Sequence, residues 1–245
     1  MKVTVIIPAA GLGTRMAPVP SGKSGKAVLS KQFTKLGGMP ILLHTLRKFA
    51  ACPEVSGICL ALRANEIDSF REQLEKEAKD VLRKDIQFVE GGEHRQHSVA
   101  NALAGISAVE DDVILVHDAV RPFVTAEIIR DVIHAAQKYG AAIAAWPAVE
   151  TVKLVDRTAE GALIAATVPR EKVVMAQTPQ GFRYGVIKKA FDEATADGFL
   201  GTDEAALVER SGHPVAVVMG SPRNIKITTP ADMELAEFYL RQAGH

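Results

Sequence analysis

The chain has 245 residues, of which 47% are hydrophobic, so it is long enough and apolar enough for one large α/β domain. Lysine and arginine together number 29, as do aspartate and glutamate, which excludes the overall positive charge typical of nucleic-acid-binding proteins. No run approaches the roughly 18 apolar residues of a membrane span, and two cysteines, Cys52 and Cys59, suit a reducing compartment. We expect a single cytoplasmic domain over residues 1–245, with neither nucleic acid nor membrane as a partner.

Short apolar runs alternate with helical patterns along most of the chain. Five runs are too short for amphipathic helices and typical of buried parallel strands: 3–7, 57–62, 86–89, 113–116 and 141–146. Helical patterns lie between and after them, at 40–51, 65–83, 96–108 and 125–138. This alternation predicts a mostly parallel sheet with helices on both faces, whose ligands bind beyond the carboxyl ends of the strands.

The alternation stops between about 150 and 180. Two strand-like runs flank the sequence DRTAEG there, which predicts a β-hairpin within residues 150–175. A hairpin that projects from a sheet needs a surface to pack against, so we expect a dimerisation arm and a symmetric homodimer. A hairpin folded back onto its own domain is the alternative. The remaining patterns predict helices at 183–197, 203–212 and 230–243 and a strand at 215–219.

The loop after the first strand, PAAGLGTRM, combines glycines with an arginine. It lacks the third glycine of a Rossmann dinucleotide loop, and the later run SGKSGK lacks the first glycine of a Walker A loop. Gly11 and Gly13 nevertheless let backbone N–H groups approach a phosphate closely, while Arg15 and Lys31 supply positive charge. A tight turn with solvated cations is the alternative.

The loop after the third strand reads EGGEHRQHSV. Its two glycines allow backbone contact with a flat ligand, and Ser98 can exchange hydrogen bonds with that ligand. His94 and His97 are three residues apart, but a metal site needs three or four ligands, so we interpret both as surface histidines.

Charged residues follow the fourth strand in HDAVRPF. Asp118 and Arg121, at the carboxyl end of a buried strand, fit a substrate or metal site, and a plain ion pair between them is an equal alternative. His117 is interpreted as structural. Later in the chain, Thr202 is a candidate N-cap and Lys226 lies in the strand-like stretch NIKITTP.

Eight segments, taken in chain order, resemble the 2-C-methyl-D-erythritol 4-phosphate cytidylyltransferase family: PAAGLGTRM, KQF, EGGEHRQHSV, HDAVRPF, ETVK, QTPQGF, TDEAALVE and NIKIT. The resemblance covers nearly the whole chain. It implies a Rossmann-like nucleotidyltransferase fold and transfer of a cytidylyl group from CTP to the sugar-alcohol phosphate. It also implies a Mg²⁺ ion held mainly by the CTP phosphates and a homodimer joined through the hairpin.

The resemblance assigns roles to individual residues. Arg15 and Lys31 match stabilisers of the transition state at the α-phosphate, and Lys226 and Arg170 complete the catalytic set. The nucleotide-binding residues implied are Ala9, Ala10, Gly11, Gly13, Gly92, Glu93 and Ser98. The substrate-binding residues implied are Asp118, Arg121, Thr151, Arg170 and Thr178, of which Thr151 and Arg170 would reach the substrate of the other subunit. No residue is assigned as a metal ligand.

The interval between Arg15 and Lys31 is longer than the compact loop of the family, and Ser30 replaces the proline that commonly precedes KQ. Residues 17–30 are rich in Ser, Gly and Pro, which favours a lid that orders on nucleotide binding. Ribitol 5-phosphate cytidylyltransferase is the nearest competing assignment, although Lys153 in ETVK resembles the methylerythritol enzyme more. A catalytically silent nucleotide-binding regulatory subunit is a further alternative, and we expect no fused second enzyme.

Overall fold

The structure is a computed structural model that describes residues 1–11 and 31–243. Gly13, Arg15 and the predicted lid at 17–30 lie outside the described residues. In chain order, the strands are β1 (Val3–Pro8), β2 (Lys35–Leu36), β3 (Met39–Pro40), β4 (Gly57–Leu62), β5 (Asp85–Glu90), β6 (Val113–Val116), β7 (Ala141–Pro147), β8 (Val152–Thr158), β9 (Gly161–Val168), β10 (Val174–Arg183) and β11 (Ala216–Met219). The helices are α1 (Ile41–Ala50), α2 (Ala64–Glu77), α3 (Arg95–Gly105), α4 (Ala126–Tyr139), α5 (Tyr184–Ala196), α6 (Glu204–Arg210) and α7 (Pro230–Ala243).

Seven strands form one mixed sheet in the order β11-β7-β10-β6-β1-β4-β5. Neighbours pair in parallel except at β10, which runs antiparallel between β6 and β7. The five strands predicted from apolar runs and the strand predicted at 215–219 are all present within one or two residues. β10 was not predicted, and its register shifts between Ala176 and Gln180, which takes residues 177–179 out of the ladder.

Helices cover both faces of this sheet, as the sequence predicts. Side chains of β1 alternate between the faces, so Val5 and Ile7 enter one core cluster and Ile6 enters another. The first cluster contains the apolar faces of α1, α2 and α4, and the second contains those of α3, α5 and α6. The two clusters hold the strands in place, so the loops at their carboxyl ends have a rigid base.

The predicted hairpin is present as β8 and β9, which pair antiparallel with each other around a turn that ends at Gly161. Nearly all of its side chains are exposed, including Leu154, Leu163 and Ile164. The alternative of a hairpin packed onto its own domain is therefore wrong for these side chains. No helix in the described part of the chain is long and apolar enough to cross a membrane.

Three local predictions are wrong. The helix predicted at 65–83 ends at Glu77, and a separate 3-10 helix covers Val81–Arg83. The N-cap of α6 is Asp203 rather than Thr202, because the Asp203 carboxylate accepts from the Ala206 amide at 2.9 Å. The stretch 224–230 contains no strand, since it crosses the end of the sheet and Ile227 N donates to the Val120 carbonyl instead of a ladder partner.

Candidate active site

A cavity opens beyond the carboxyl ends of β1 and β6, at the position where open α/β sheets bind ligands. Six of the residues predicted to bind nucleotide line it: Ala9, Ala10, Gly11, Gly92, Glu93 and Ser98. Three residues predicted as catalytic or substrate-binding line it as well: Lys31, Asp118 and Lys226. The fold thus brings four separate loops of the sequence to one cavity.

The turn after β1 forms the first wall of the cavity. Ala9 N donates to the Ala61 carbonyl at 2.8 Å, and the Gln32 side-chain amide donates to the Ala9 carbonyl. Arg63 Nε donates to the Ala10 carbonyl at 3.1 Å. These contacts, one through the Ala9 amide and two through carbonyl oxygens, hold the backbone of the turn in place.

The loop between β5 and α3 forms the opposite wall. Gly92 N donates to Ser98 Oγ at 3.1 Å, so the buried serine holds the loop as well as lining the cavity. A Cβ at Gly91 would collide with that of Ala10, which explains the glycine by a close approach of the two walls. His94 and His97 are exposed, as predicted, and no group of three His, Cys, Asp or Glu among the described residues is placed to hold a metal ion.

Asp118 is the centre of a charge cluster at the floor of the cavity. Arg95 Nε lies 3.2 Å from Oδ1, while Arg121 Nε and Lys226 Nζ lie 3.2 and 3.0 Å from Oδ2. Burial opposes ionisation of this carboxyl, but Arg95, Lys226 and Arg121 together hold its pKa well below the usual range. The ion pair between Asp118 and Arg121, which the sequence offered as the alternative to a substrate or metal site, is present as one of three contacts of this carboxylate with cations.

A second cavity shares the Arg95, Asp118 and Lys226 side chains with the first and extends toward β10. Arg121 and Thr178, both predicted to bind substrate, line it. The residues that leave the β10 ladder make this possible, because Gln177 and Thr178 turn toward the cavity rather than pairing along the strand. Two adjoining cavities with a common charged wall suit a reaction between two bound molecules.

His117 supports the floor from below. Its Nε2 lies 3.1 Å from the Arg121 carbonyl, and its Nδ1 lies 3.1 Å from Thr178 Oγ1. Because a carbonyl can only accept, Nε2 carries the proton and Nδ1 accepts from the Thr178 hydroxyl, which itself accepts from Asp118 N. Burial lowers the pKa of His117 to about 4, so the ring is neutral, in keeping with its predicted structural role.

The model of the 2-C-methyl-D-erythritol 4-phosphate cytidylyltransferase family (IspD) matches residues 3–242 of this chain. The chain belongs to this family. A curated cytidylyltransferase of this name from Acidobacterium capsulatum is 53% identical over 242 residues, which cover 99% of this chain and 98% of that protein. One from Geobacter metallireducens is 46% identical, with 99% of both chains covered.

Solved structures of cytidylyltransferases of the family show the same fold. The 4-diphosphocytidyl-2C-methyl-D-erythritol synthase of Anaerococcus prevotii matches with a TM-score of 0.81 at 30% identity, covering 98% of this chain and 96% of that one. The Francisella tularensis 2-C-methyl-D-erythritol 4-phosphate cytidylyltransferase matches with a TM-score of 0.78 at 35% identity, covering 97% and 99%. This chain is thus a nucleotidyltransferase of the cytidylyltransferase family with a Rossmann-like α/β fold.

Two residues assigned to the cytidylyltransferase site lie away from both cavities. Thr151 and Arg170 are exposed at the base of the hairpin, and neither is among the described residues that line these two cavities. The Arg170 guanidinium instead donates to the Val149 carbonyl at 3.3 Å.

Sequence reasoning missed Arg95 and Glu204. Both stood inside quoted segments, EGGEHRQHSV and TDEAALVE, yet charged residues in the first turn of a helix are ordinarily solvated. Their contact, Arg95 Nη1 to Glu204 Oε1 at 2.6 Å, joins residues that are distant in sequence.

Proposed function

We propose that this chain transfers a cytidylyl group from CTP to 2-C-methyl-D-erythritol 4-phosphate, with release of pyrophosphate. The product is 4-diphosphocytidyl-2-C-methyl-D-erythritol, an intermediate of non-mevalonate isoprenoid precursor synthesis. The observation that carries this proposal is the pair of cavities that meet at Asp118 and Lys226, in a chain of this family. The cavity beside the β1 turn would take CTP, and the cavity beside β10 would take the acceptor.

The chemistry requires positioning and positive charge more than a base. An oxygen of the acceptor phosphate attacks the α-phosphorus, and the bond from that phosphorus to the oxygen of the leaving pyrophosphate breaks. This oxygen is already anionic near neutral pH, so no proton has to be removed from it. Lys31 lines the nucleotide cavity and Lys226 lines the shared wall, and both would neutralise the charge that builds up between the two phosphates.

Asp118 fits the recognition of an acceptor hydroxyl. Its depressed pKa keeps it ionised at neutral pH, so it can accept a hydrogen bond from a hydroxyl but cannot act as a general acid. Lys226 uses one N–H on Asp118, which leaves its ammonium two further donors for the acceptor phosphate. Arg121, on the other side of the carboxylate, adds charge to the same cavity.

Mg²⁺ is proposed to enter with CTP. Among the described residues, the carboxylates lining the nucleotide cavity are Glu93 and Asp118, and Asp118 already accepts from three cations. This donor set fits Mg²⁺ when triphosphate oxygens and water supply most of its octahedral ligands. The ion would then neutralise phosphate charge, while the side chains orient the reactants.

The hairpin is proposed to join two subunits. Leu163 and Ile164 on β9 are 68% and 66% exposed, which an isolated surface hairpin would not favour. A twofold pairing through this surface would also give Thr151 and Arg170 a substrate to contact, that of the second subunit. Cys52 and Cys59 are free thiols in the structure, which supports the proposed cytoplasmic location.

A pyrophosphate-release assay with matched acceptors tests the function. Purified protein is given CTP, Mg²⁺ and either 2-C-methyl-D-erythritol 4-phosphate or ribitol 5-phosphate, with a reaction lacking acceptor as control. We expect kcat/KM for the methylerythritol acceptor to exceed that for ribitol 5-phosphate by at least about a hundredfold, since mispaired hydroxyls leave polar groups unsatisfied. A preference for ribitol 5-phosphate, or CTP binding without pyrophosphate release from either acceptor, contradicts the proposal.

A further inference from the structure

Arg95 stands on the wall that the two cavities share. Its Nε donates to Asp118 Oδ1 at 3.2 Å, and its Nη1 donates to Glu204 Oε1 at 2.6 Å. The guanidinium is planar, so two fixed contacts through different nitrogens determine its orientation. Arg95 therefore links Asp118, at the proposed acceptor site, to Glu204, which is more deeply buried.

Glu204 is a buried carboxylate with few compensating contacts. Its side chain is 1% exposed, and Oε2 has no hydrogen-bond partner among the described residues. Burial raises the pKa of this carboxyl, and the contact with Arg95 opposes the effect. Because a buried ion pair adds little or nothing to stability compared with apolar side chains, stability does not explain Glu204.

The backbone that carries Glu204 is held from β10. Gln180 Oε1 accepts from Ala205 N at 3.0 Å, and Gln180 Nε2 donates to Asp203 Oδ2 at 2.8 Å. Asp203 caps α6, whose first residue is Glu204. A rigid connection thus runs from the central sheet through the start of α6 to Arg95.

The lone pairs of Asp118 show what this connection achieves. A carboxylate accepts about four hydrogen bonds, two at each oxygen. Arg121 and Lys226 occupy Oδ2, while Arg95 occupies one position on Oδ1. The remaining position on Oδ1 is the one left for a substrate hydroxyl, and its direction depends on where Arg95 holds the carboxylate.

We propose that Glu204 and Arg95 are positioning residues for the acceptor: Glu204 anchors the Arg95 guanidinium, and Arg95 fixes the Asp118 carboxylate in the orientation that receives the acceptor hydroxyl. This inference rests on the proposed transfer to a polyol phosphate. It distinguishes Glu204, which acts through Arg95, from Asp118, which contacts the acceptor itself.

Steady-state kinetics of Glu204→Ala and Glu204→Gln test the positioning role. Glu204→Ala is expected to raise the KM for the acceptor about tenfold, with kcat and the KM for CTP changed by less than about threefold, since a misplaced contact affects the molecule that uses it. Glu204→Gln should restore most of the loss, because its amide oxygen still accepts from Arg95. Arg95→Ala combined with Glu204→Ala should be no worse than Arg95→Ala alone.

Asp112→Ala is the matched control for loss of a buried carboxylate. Asp112 accepts from Lys2 N and Val109 N at 2.7 and 3.0 Å, at the opposite ends of strands from the cavities. The Asp112→Ala substitution should lower the melting temperature without changing the KM for the acceptor. If Glu204→Ala only lowers the melting temperature in the same way, the positioning role is wrong.

A measurement without turnover separates this inference from the proposed function. In ¹H–¹⁵N spectra, the Arg95 Nε–H, identified by its loss in Arg95→Lys, should give a slowly exchanging signal in the wild type and in Glu204→Gln. It should broaden or disappear in Glu204→Ala. An unchanged signal in Glu204→Ala overturns the anchoring, whether or not the wild type releases pyrophosphate. If the wild-type protein releases no pyrophosphate, the proposed function is contradicted. The Arg95 Nε–H signal still shows whether Glu204 anchors Arg95.

Discussion

Around Asp118 the side chains are charged, buried or half-buried, and paired with one another, whereas the β8–β9 hairpin exposes large apolar side chains. Three cations lie within 3.2 Å of the Asp118 oxygens, but Leu163 and Ile164 are each about two-thirds exposed. Charges are buried only with partners, and apolar surface is left in water only at some cost. The charge cluster is therefore assembled within one chain, while the apolar side chains of the hairpin stay exposed in that chain, as the proposed dimer would require.

The largest effect is expected at Lys31, which lines the nucleotide cavity. Lys31→Ala should lower kcat a hundred- to a thousandfold, as is typical when one preorganised charge contact to a transition state is removed. Arg15→Ala should have a similar effect. Lys35→Ala, which removes an exposed lysine four residues further on, is the control and should leave kcat unchanged. Near-normal turnover in both Lys31→Ala and Arg15→Ala would show that the charges of this region are not catalytic.

Acid should lower the free energy of unfolding through protonation of His117, which lies beneath the charge cluster. The pKa of this histidine is lowered by burial from 6.5 to about 4, so its contribution to folding is complete above pH 6.5 and is lost as the pH falls toward 4. The loss amounts to as much as about 3 kcal/mol, at 1.36 kcal/mol for each pKa unit. Urea titrations at several pH values measure it.

His117→Gln should flatten the pH dependence of unfolding between pH 6.5 and 4, whereas His134→Gln, at an exposed position of α4, should not. If wild type and His117→Gln lose stability in parallel over that window, the neutral buried ring is not responsible.

Subunit mixing tests whether the hairpin serves a second subunit. Arg170→Ala and Lys226→Ala should each be nearly inactive alone. Mixed, they should regain roughly a quarter of wild-type activity, because random pairing makes half of the dimers mixed and each mixed dimer has one intact site. Lys31→Ala mixed with Lys226→Ala should regain nothing, since both residues line the cavity of one chain. Equal recovered activity in the two mixtures would mean that Arg170 does not serve the site of a second subunit, and would contradict the contrast between the hairpin and the charge cluster.

The smallest effect is expected for polar contacts on the hairpin itself. Lys153 Nζ lies 2.6 Å from Thr167 Oγ1 across the two strands, but both residues are exposed. Lys153→Ala should change the free energy of unfolding by less than about 0.5 kcal/mol, as surface substitutions ordinarily do. Thermal unfolding measures it, and a loss above about 1 kcal/mol would mean that the hairpin is stabilised by its own polar contacts.

The regular part of the fold could be predicted from local patterns. Strands such as β1 and β6 are short β-branched runs that are buried on both faces, and the loops after them carry the site. β10 was missed because Pro179 and Gly181 interrupt its pattern, and only its neighbours β6 and β7 make it a strand. The sequence shows which residues follow each strand but not which strand lies beside which.

The same limit applies to the candidate site. Asp118 and Lys226 were identified because they belong to recognisable segments, and the structure places both at one cavity. Arg95 and Glu204 were not identified, because the burial of Glu204 arises only when α6 packs beside α3 and β10. Thr151 and Arg170 remain predictions, since their place depends on a subunit arrangement that one chain does not contain.

The direct attack of the acceptor phosphate on the α-phosphorus of CTP is the central claim, and an oxygen label tests it most directly. The acceptor 2-C-methyl-D-erythritol 4-phosphate is prepared with ¹⁸O in its phosphate and allowed to react with CTP, and the products are read by ³¹P NMR. We predict two coupled phosphorus signals of a diphosphate product, with ¹⁸O in the bridging oxygen and none in the pyrophosphate. Label in the released pyrophosphate, or no diphosphate product, would contradict this account.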